Sequence, residues 1–382
     1  MTNKLKNYFP MIRQKDELLE EIKKQPKLRA IYESWDLERR EEFLNFCTGV
    51  RGIKILYDSF FKEVMNPEYA PERLENFLCE VLRRKVKIVR ILPNDSTRIA
   101  DEVSLLITDI VVELEDGSLA NVEIQKIGYS FPGARSACYG ADMLLRQYKR
   151  VRAKQGESFS YNDIKNVFLI VIYEKSPKEF HQFPDTYYHH SRQTFDSGLK
   201  LDMLQEFIMI PLDIFRSKMQ NKTIKTVLEA WLTFLSEDDP EKVIQLIERY
   251  PEFKPMYETL YQMCQNTERV MELFSEELRQ LDRNTVKYMI EQQQQELDKQ
   301  AEIIGQQKQE LSQKDEQLSQ KDEELSQKDE ELNQKDEQLS QKDEQLSQMD
   351  EQLSQKDEQL SQMEKRLKKQ AKEMEELRRQ LG

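Results

Sequence analysis

The spacing of apolar residues along the chain changes from a helical period to a strand period and back again. Residues 14–49 are charged, with apolar residues at helical spacing, and predict a helical lead-in. Two amphipathic helices are predicted at 57–66 and 71–82. Residues 85–92, KVKIVRIL, alternate basic and apolar side chains, which predicts a strand with one buried face.

The middle of the chain predicts further strands around one long helix. Residues 108–126, TDIVVELEDGSLANVEIQK, are two apolar arms joined at an Asp-Gly pair, which is typical of a hairpin. A helix is predicted from about Pro132 to Lys154. The run NVFLIVIYE (166–174) has almost no polar interruption and predicts a central, buried strand. Residues 206–215 predict another strand, whose Pro211 places its end near an edge. From about 223 to 300 the pattern is helical, with breaks at 236–241 and 250–253.

The last part of the chain is a repeat of the heptad LSQKDEQ. From Leu311 a Leu recurs every seven residues as far as Leu367, and Met374 and Leu381 keep the phase. No Gly or Pro interrupts the repeat before Gly382, so we expect a continuous helix of roughly 100 Å at 1.5 Å per residue. The position three residues after each Leu is mostly Lys, which weakens the seam of a coiled coil. A homo-oligomeric coiled coil through residues 311–381 and a single solvated helix or disordered rod both stay open.

Charge is unevenly distributed between this tail and the rest of the chain. The net charge is −13, and residues 291–382 carry 25 acids against 15 bases, a net of −10. Residues 1–290 therefore carry a net of only −3 and can still present a basic groove. The low hydrophobic content of 38% and the high charged content of 34% also come from the tail. The acidic total does not exclude a nucleic-acid partner.

The sequence predicts a cytoplasmic protein. The four cysteines are far apart and include no CxxC pair, which is typical of reduced thiols. The N-terminal residues lack the apolar region of a signal peptide. The longest apolar run, at 167–173, is too short to cross a bilayer, so we expect no membrane partner.

The hairpin at 108–126 carries an acid on each arm, and the length of its turn decides whether they meet. Strand alternation puts Asp109 on one face of the first arm, and Glu123 and Gln125 on one face of the second. A two-residue turn sets Asp109 opposite Ile124, on the other face from Glu123. A three-residue turn with Gly117 in the left-handed region sets Asp109 opposite Glu123. Opposed carboxylates need a cation or a raised pKa. The alternative is that both acids lie on a solvated strand face.

The helix after the hairpin is predicted to face these acids. Arg135 and Tyr139 lie four residues apart, and Gln147 lies two turns further on. The run RQYKRVRAK (146–154) is dense in bases, which we expect close to the acids, where they would hold a phosphodiester backbone. The alternative is an ordinary solvated helix end, favoured by the helix dipole. The bases of the proposed contact are Arg135, Arg146, Lys149, Arg150 and Arg152.

Several ordered segments resemble PD-(D/E)xK nucleases, and most closely their recombination-promoting nuclease and transposase branch. The likeness runs from about Phe9 to about Gln295 and excludes the tail. The segments that carry it, in chain order, are YDSFFKEVM, ILPNDSTRIADE, TDIVVELEDGSLANVEIQKIGY, FPGARSACYGADMLLRQYKR, EKSPKEFH and DRNTVKYMI.

The resemblance implies a Mg²⁺ site, with Mn²⁺ as a substitute, held by Asp109 and Glu123 and helped by the Ile124 carbonyl. Gln125 occupies the place of the superfamily lysine. An amide can orient water but cannot act as a base, so the metal must do more to deprotonate it. Lys126 lies on the wrong face to replace that lysine. The family also implies an acid on a helix before the first strand, for which Glu75 and Glu80 are candidates, and Asp58 matches a family segment or caps a helix.

The remaining motifs are weaker indications of function. His189-His190 lacks accompanying ligands, which favours a loop without a metal role. No HExxH, GxxxxGK[ST] or GxSxG pattern occurs, which argues against zinc proteases, P-loop ATPases and α/β-hydrolases.

The sequence thus predicts an α/β protein with a restriction-endonuclease-like mixed sheet flanked by helices. Its predicted parts are a helical lead-in (1–50), a nuclease-like core (51–220), a helical region (221–300) and a heptad-repeat coiled coil (301–382). The predicted function is a metal-dependent DNA endonuclease associated with recombination or mobile elements. The alternative is an inactive DNA-binding or scaffold protein that assembles through its coiled coil.

Overall fold

Six strands form one mixed sheet in the computed structural model, which describes residues 3–92, 110–126 and 132–380. The spatial order of the strands, numbered along the chain, is 1-2-3-4-6-5. The pairs 3–4 and 4–6 are parallel, and the other three neighbouring pairs are antiparallel. The strands are β1 (Ile88–Leu92), β2 (Ile110–Leu114), β3 (Leu119–Gln125), β4 (Val167–Tyr173), β5 (His189–Arg192) and β6 (Gln205–Pro211).

Helices flank this sheet, which confirms the predicted fold class. The lead-in consists of three short helices, and the helical region after the sheet breaks at 237–239 and 250–253, close to the predicted breaks, and again at 264–266. The helices are α1 (Lys15–Lys24), α2 (Pro26–Ser34), α3 (Leu37–Cys47), α4 (Asp58–Val64), α5 (Pro71–Leu82), α6 (Pro132–Gln155), α7 (Leu212–Met219), α8 (Val227–Ser236), α9 (Pro240–Arg249), α10 (Lys254–Met263) and α11 (Thr267–Gln380).

Strand β4 is the centre of the sheet, and all seven of its residues are buried. Its even-numbered side chains join the main core, which the N-terminal helices and α8 to α11 also build. Of its odd-numbered side chains, Leu169, Val171 and Tyr173 form a smaller cluster with Tyr139 of α6, and Val167 joins a third cluster with Met143 of α6. Each fully buried aliphatic or aromatic side chain contributes about 1.5–3 kcal/mol, so a polar substitution in this strand is costly on either face.

Helix α6 connects the parallel strands β3 and β4 and packs close to the sheet. Parallel neighbours need such a crossover, because a tight turn cannot reverse the chain direction twice. A Cβ at Gly140 would lie only 3.0 Å from Cε1 of Phe207 on β6. A residue without a side chain therefore permits the close approach of α6 to β6.

The edge strands differ most from prediction. Strand β1 begins at Ile88, and three of its five residues are half-buried or buried. Strand β5 falls where we expected a loop: it pairs antiparallel with β6, and Nε2 of His190 lies 2.7 Å from Oε2 of Glu206. Pairing with β5 ends at Met209, two residues before Pro211, so the proline that closes β6 follows the end of that pairing.

A buried ion pair joins the end of β3 to α11. The Lys126 ammonium pairs with the Glu277 carboxylate, and their side chains are 11% and 3% exposed. The same ammonium lies 4.5 Å from the ring centroid of Tyr57. Oε2 of Glu277 also accepts a hydrogen bond from the backbone N–H of Asp58, at 2.9 Å. The first turn of α4 is therefore capped by Glu277, and the expected capping role of Asp58 is wrong, because its carboxylate pairs with Lys62 at 2.9 Å.

The chain divides into two units, Met1–Gln295 and Glu296–Gly382. The first contains the sheet and the helices α1 to α10. The second is helical from its start to Gln380, which confirms the long C-terminal helix. Within the described residues, no helix is both long enough and apolar enough to cross a membrane.

We predict that Glu277→Gln destabilises the first unit by about 3–5 kcal/mol, because it removes the negative charge with which the buried Lys126 ammonium pairs. Denaturant unfolding followed by tryptophan fluorescence measures this, since Trp35 and Trp231 are both buried in the main core.

The matched control is Glu276→Gln, the adjacent residue, which pairs with Arg279 on the surface at 2.9 Å. Exposed pairs contribute about 0–1 kcal/mol, so this variant should unfold almost like the wild type. Equal effects of the two substitutions would contradict a special role for Glu277.

Candidate active site

The turn between β2 and β3 has three residues, which is the second of the two alternatives considered above. Gly117 has φ of +82°, in the left-handed region. The N–H of Gly117 donates to the Leu114 carbonyl and the N–H of Leu114 to the Ser118 carbonyl, both at 2.9 Å. A second feature fixes the turn, since Oδ1 of Asp116 accepts from the N–H of Ser118 at 3.0 Å.

This turn sets the register of the hairpin. Ile110 pairs with Val122 and Val111 with Asn121. The predicted opposition of Asp109 and Glu123 lies outside the described residues, because the described part of the first arm begins at Ile110. The first described pair is therefore Ile110 with Val122, and Val122 is the residue before Glu123 on β3.

Three polar side chains lie in a row on the face of β3 that α6 covers. Asn121, Glu123 and Gln125 are 0%, 6% and 4% exposed. Nε2 of Gln125 donates a hydrogen bond to Oε1 of Glu123 at 2.9 Å. In the part of the chain described, neither amide atom of Asn121 has a hydrogen-bond partner. Buried unpaired amides are costly, so the row is a polar site within an otherwise apolar sheet rather than a solvated strand face.

The first turns of α6 supply the other side of this site. Nη2 of Arg135 lies 3.5 Å from the Tyr139 hydroxyl. Burial and the neighbouring Glu123 carboxylate raise the pKa of Tyr139 to about 12, and Arg135 opposes them. Tyr139 is therefore a neutral hydroxyl at ordinary pH.

The site contains two residues that the sequence analysis missed, Ser136 and Tyr173. Tyr173 pairs in register with Gln125, so its side chain shares the face of Glu123. Burial raises the pKa of Tyr173, with the Ser136 hydroxyl opposing this and the Glu123 charge adding to it. The sequence could not identify Tyr173, because its side chain reaches this face only through the register in which β4 pairs with β3.

The basic run at 146–154 is at the other end of α6 from this site, which corrects the expectation that it lies close to Glu123. Nε2 of Gln147 donates to the Gly117 carbonyl at 3.0 Å, and its Oε1 accepts from the N–H of Lys165 at 2.7 Å. Gln147 thus ties the hairpin turn to the residues before β4. Eleven residues separate Arg135 from Arg146, about 16 Å along a helix.

Two bases of that run are already paired with acids. Nε of Arg146 lies 2.8 Å from the buried carboxylate of Asp142, and Nη2 of Arg150 lies 2.6 Å from Glu113. Lys149 and Arg152 are exposed. Lys149 and Arg152 are therefore more available to an anionic partner than Arg146 and Arg150.

Glu75 and Lys126 lie away from the row of polar residues. Oε1 of Glu75 accepts from the N–H of Ile88 at 2.7 Å, and Ile88 pairs with Leu114 beside the hairpin turn. Lys126 pairs with Glu277 on the other side of the sheet, as the strand parity predicted.

The donor chemistry fits a hard divalent cation in part. Glu123 offers a carboxylate held by Gln125, and carboxylate oxygens are the ligands that Mg²⁺ prefers. Among the described residues, no group of three or more His, Cys, Asp or Glu could hold a metal ion by itself. A complete site requires a further acid.

A mixed sheet with a buried Glu-x-Gln on a central strand, flanked by an antiparallel hairpin arm and a crossover helix, defines an α/β nuclease-like core. A family model described as "PD-(D/E)XK nuclease family transposase" matches residues 55–290. This is more than half of the 382 residues, and the chain belongs to that family. A search of the curated proteins and a search of the solved structures find no match.

The contacts of Gln147 predict a structural role. Gln147→Ala removes two hydrogen bonds to backbone groups and should lower the free energy of unfolding by about 1–3 kcal/mol for each group left unpaired. Tryptophan fluorescence during denaturant unfolding measures the change. Lys154→Ala, at an exposed position of the same helix, is the control, and a Gln147 variant as stable as that control would show that these bonds contribute nothing.

Proposed function

We propose that the protein is a metal-dependent DNA endonuclease associated with mobile elements or recombination. The observation that carries the proposal is the buried Glu123–Gln125 pair on β3, beneath α6, in a chain of the PD-(D/E)XK nuclease family transposases. Membership of that family supports a nuclease and its DNA partner. The buried row of Asn121, Glu123 and Gln125 would be the site of phosphodiester hydrolysis.

Asp109 and Glu123 would hold Mg²⁺, with Mn²⁺ as a substitute. Val111 packs with Met143 of α6, so odd positions of β2 face the same helix as Glu123. The proposal extends this parity by sequence to Asp109. A bound divalent ion lowers the pKa of water and neutralises charge on a phosphate.

Gln125 would orient the reacting groups without acting as a base. Its Nε2 holds Oε1 of Glu123, which fixes the plane of the carboxylate. Its amide oxygen can accept a hydrogen bond from water but cannot remove a proton at neutral pH. Tyr139 would steady the same carboxylate as a neutral donor, and Arg135, four residues earlier on α6, would add positive charge near a bound phosphate.

The DNA backbone would be held by bases at both ends of α6. Arg135 lies at the site, while Lys149 and Arg152 are exposed at the far end. A duplex presents phosphates all along its length, so separated cations on one helix can contact one backbone. Arg146 and Arg150 would add less, because Asp142 and Glu113 already neutralise them.

The first test is cleavage of supercoiled plasmid with Mg²⁺, Mn²⁺ or EDTA. We expect the wild type to nick DNA with either metal and not with EDTA. Loss of a residue that only supports a metal ligand lowers activity by about 10- to 100-fold. Asp109→Asn and Glu123→Gln each remove a proposed ligand itself, so each should lower the cleavage rate by more than that. Glu115→Gln, an exposed acid in the same hairpin turn, should cleave like the wild type.

Absence of cleavage by the folded wild type with both metals would overturn the endonuclease proposal. Retained DNA binding in that case would favour the inactive DNA-binding or scaffold alternative, which is consistent with the uncharged Gln125.

A second test concerns Tyr139. Because its pKa is about 12, the hydroxyl stays protonated as pH rises from about 6 to 9, and it is lost as a donor only near pH 12. Tyr139→Phe should therefore lower the apparent affinity for Mn²⁺ by about 10- to 100-fold without changing the shape of the pH profile.

The measurement is the cleavage rate against Mn²⁺ concentration at several pH values. Tyr148→Phe, on the same helix and stacked on Tyr161, is the matched control and should leave the metal affinity unchanged. An alkaline limb that disappears only in Tyr139→Phe would show that this tyrosine titrates in the working range and would contradict the assigned role.

A further inference from the structure

One face of the C-terminal unit carries a stripe of exposed apolar residues, which we call the tail stripe. Its members are 55% to 64% exposed and recur every seven residues. A row of this length in contact with water is unfavourable, at about 25 cal/mol for each Å² of apolar surface. The tail stripe consists of Leu297, Ile304, Leu311, Leu318, Leu325, Leu332, Leu339, Leu346, Leu353, Leu360, Leu367 and Met374.

Charged residues accompany the tail stripe at fixed positions. With the stripe at position a of each heptad, position d is mostly Lys and position e is mostly Asp, as in Lys314-Asp315 and Lys342-Asp343. Among the described residues, no ion pair joins a lysine of the repeat to a carboxylate of its own helix. Both the apolar stripe and the lysines therefore lack partners within this helix.

We propose that the tail stripe pairs with a second copy of this chain as a parallel, in-register, two-stranded coiled coil. In that arrangement each a residue packs against the same residue of the other copy, which gives a Leu layer in every heptad. Each d residue lies beside position e of the other copy, so every Lys meets an Asp. The lysine stem packs along the seam and its ammonium reaches the edge. This charge complementarity identifies the partner as the same sequence.

The antiparallel arrangement is disfavoured by the same residues. There the a positions face d positions, so stripe residues would oppose Lys or Gln in most layers. Positions e would also face each other and bring Asp315 to Asp357 of one copy against the same series of the other. Like charges along the whole seam repel.

The register is fixed by three d positions that are apolar, Met349, Met363 and Leu377. With the copies in register, each of the three faces itself. A shift of one heptad pairs them only with Lys or Gln, and a shift of two heptads keeps just two apolar d layers. The repeats are otherwise so alike that these layers decide the alignment.

The number of strands follows from the lysines. In a two-stranded coil each lysine at d faces the same lysine of the other copy, and its long side chain can pack across the seam and keep its charge in water. Three or more strands would enclose that position and bury several ammonium groups in each heptad, at a high cost in solvation. The pairing does not depend on the proposed nuclease activity.

The experiment is disulfide cross-linking of the full chain, in which the exposed Cys138 is first replaced by Ser. Leu318→Cys and Leu367→Cys are made separately and oxidised mildly with oxidised glutathione. Both positions lie in the tail stripe, seven heptads apart. A parallel, in-register pair makes each cysteine face itself, so both variants should give a covalent species of twice 45.7 kDa.

The controls distinguish the arrangements. Cys138→Ser alone measures linkage through the remaining cysteines, and Ser319→Cys, which points away from the seam, should add nothing to it. An antiparallel pair would link at most one of the two stripe positions with itself. That result, or a mass of one or three chains for the unmodified protein in sedimentation equilibrium, would overturn the proposal.

Discussion

The parallel pairing of β3 with β4 joins seven consecutive residues of each strand, all buried except the half-buried Ile124, with helices on both faces of the sheet. Strand parity then sends β3 side chains alternately to two different environments. Even positions complete the apolar main core, while Asn121, Glu123 and Gln125 face α6. Because the position of β3 is held by the apolar face, the other face can tolerate polar groups that would otherwise be expelled to water. The apolar packing on the opposite face of β3 thus stabilises the strand that carries the candidate site.

Two different solutions to buried charge stand on either side of this sheet. Lys126 forms an ion pair with Glu277, whose carboxylate also accepts a hydrogen bond from the N–H of Asp58 at the start of α4. Glu123 on the other face accepts a hydrogen bond from Gln125, and its charge contributes to the raised pKa values of Tyr139 and Tyr173. The first arrangement holds α4 and α11 to the sheet, while the second lies beneath α6 at the candidate site.

The sequence was informative where a pattern and a turn agreed. Continuous apolar residues indicated β4, and the left-handed preference of Gly117 was consistent with the three-residue turn that the structure has. Strand β5 was missed because four polar residues, HHSR, carry no burial pattern at an edge. The basic run was misplaced because residues on one helix were treated as neighbours, whereas α6 is 24 residues long and separates them. Tyr173 needed the pairing of β3 with β4 and Ser136 needed the packing of α6 on the sheet, and only the fold supplies both. Asp109 lies outside the described residues, so its role rests on sequence alone.

The near-identity of the tail repeats has a consequence for how this chain can change. Gain or loss of a complete heptad is a whole number of codons, and it preserves both the reading frame and the helical face. Under the pairing proposed above, two chains of equal length tolerate such a change before Met349 without losing any apolar d layer. A long and a short chain cannot match both ends of the tail at once. The number of repeats would then favour assembly between chains of equal length, which are copies from one gene.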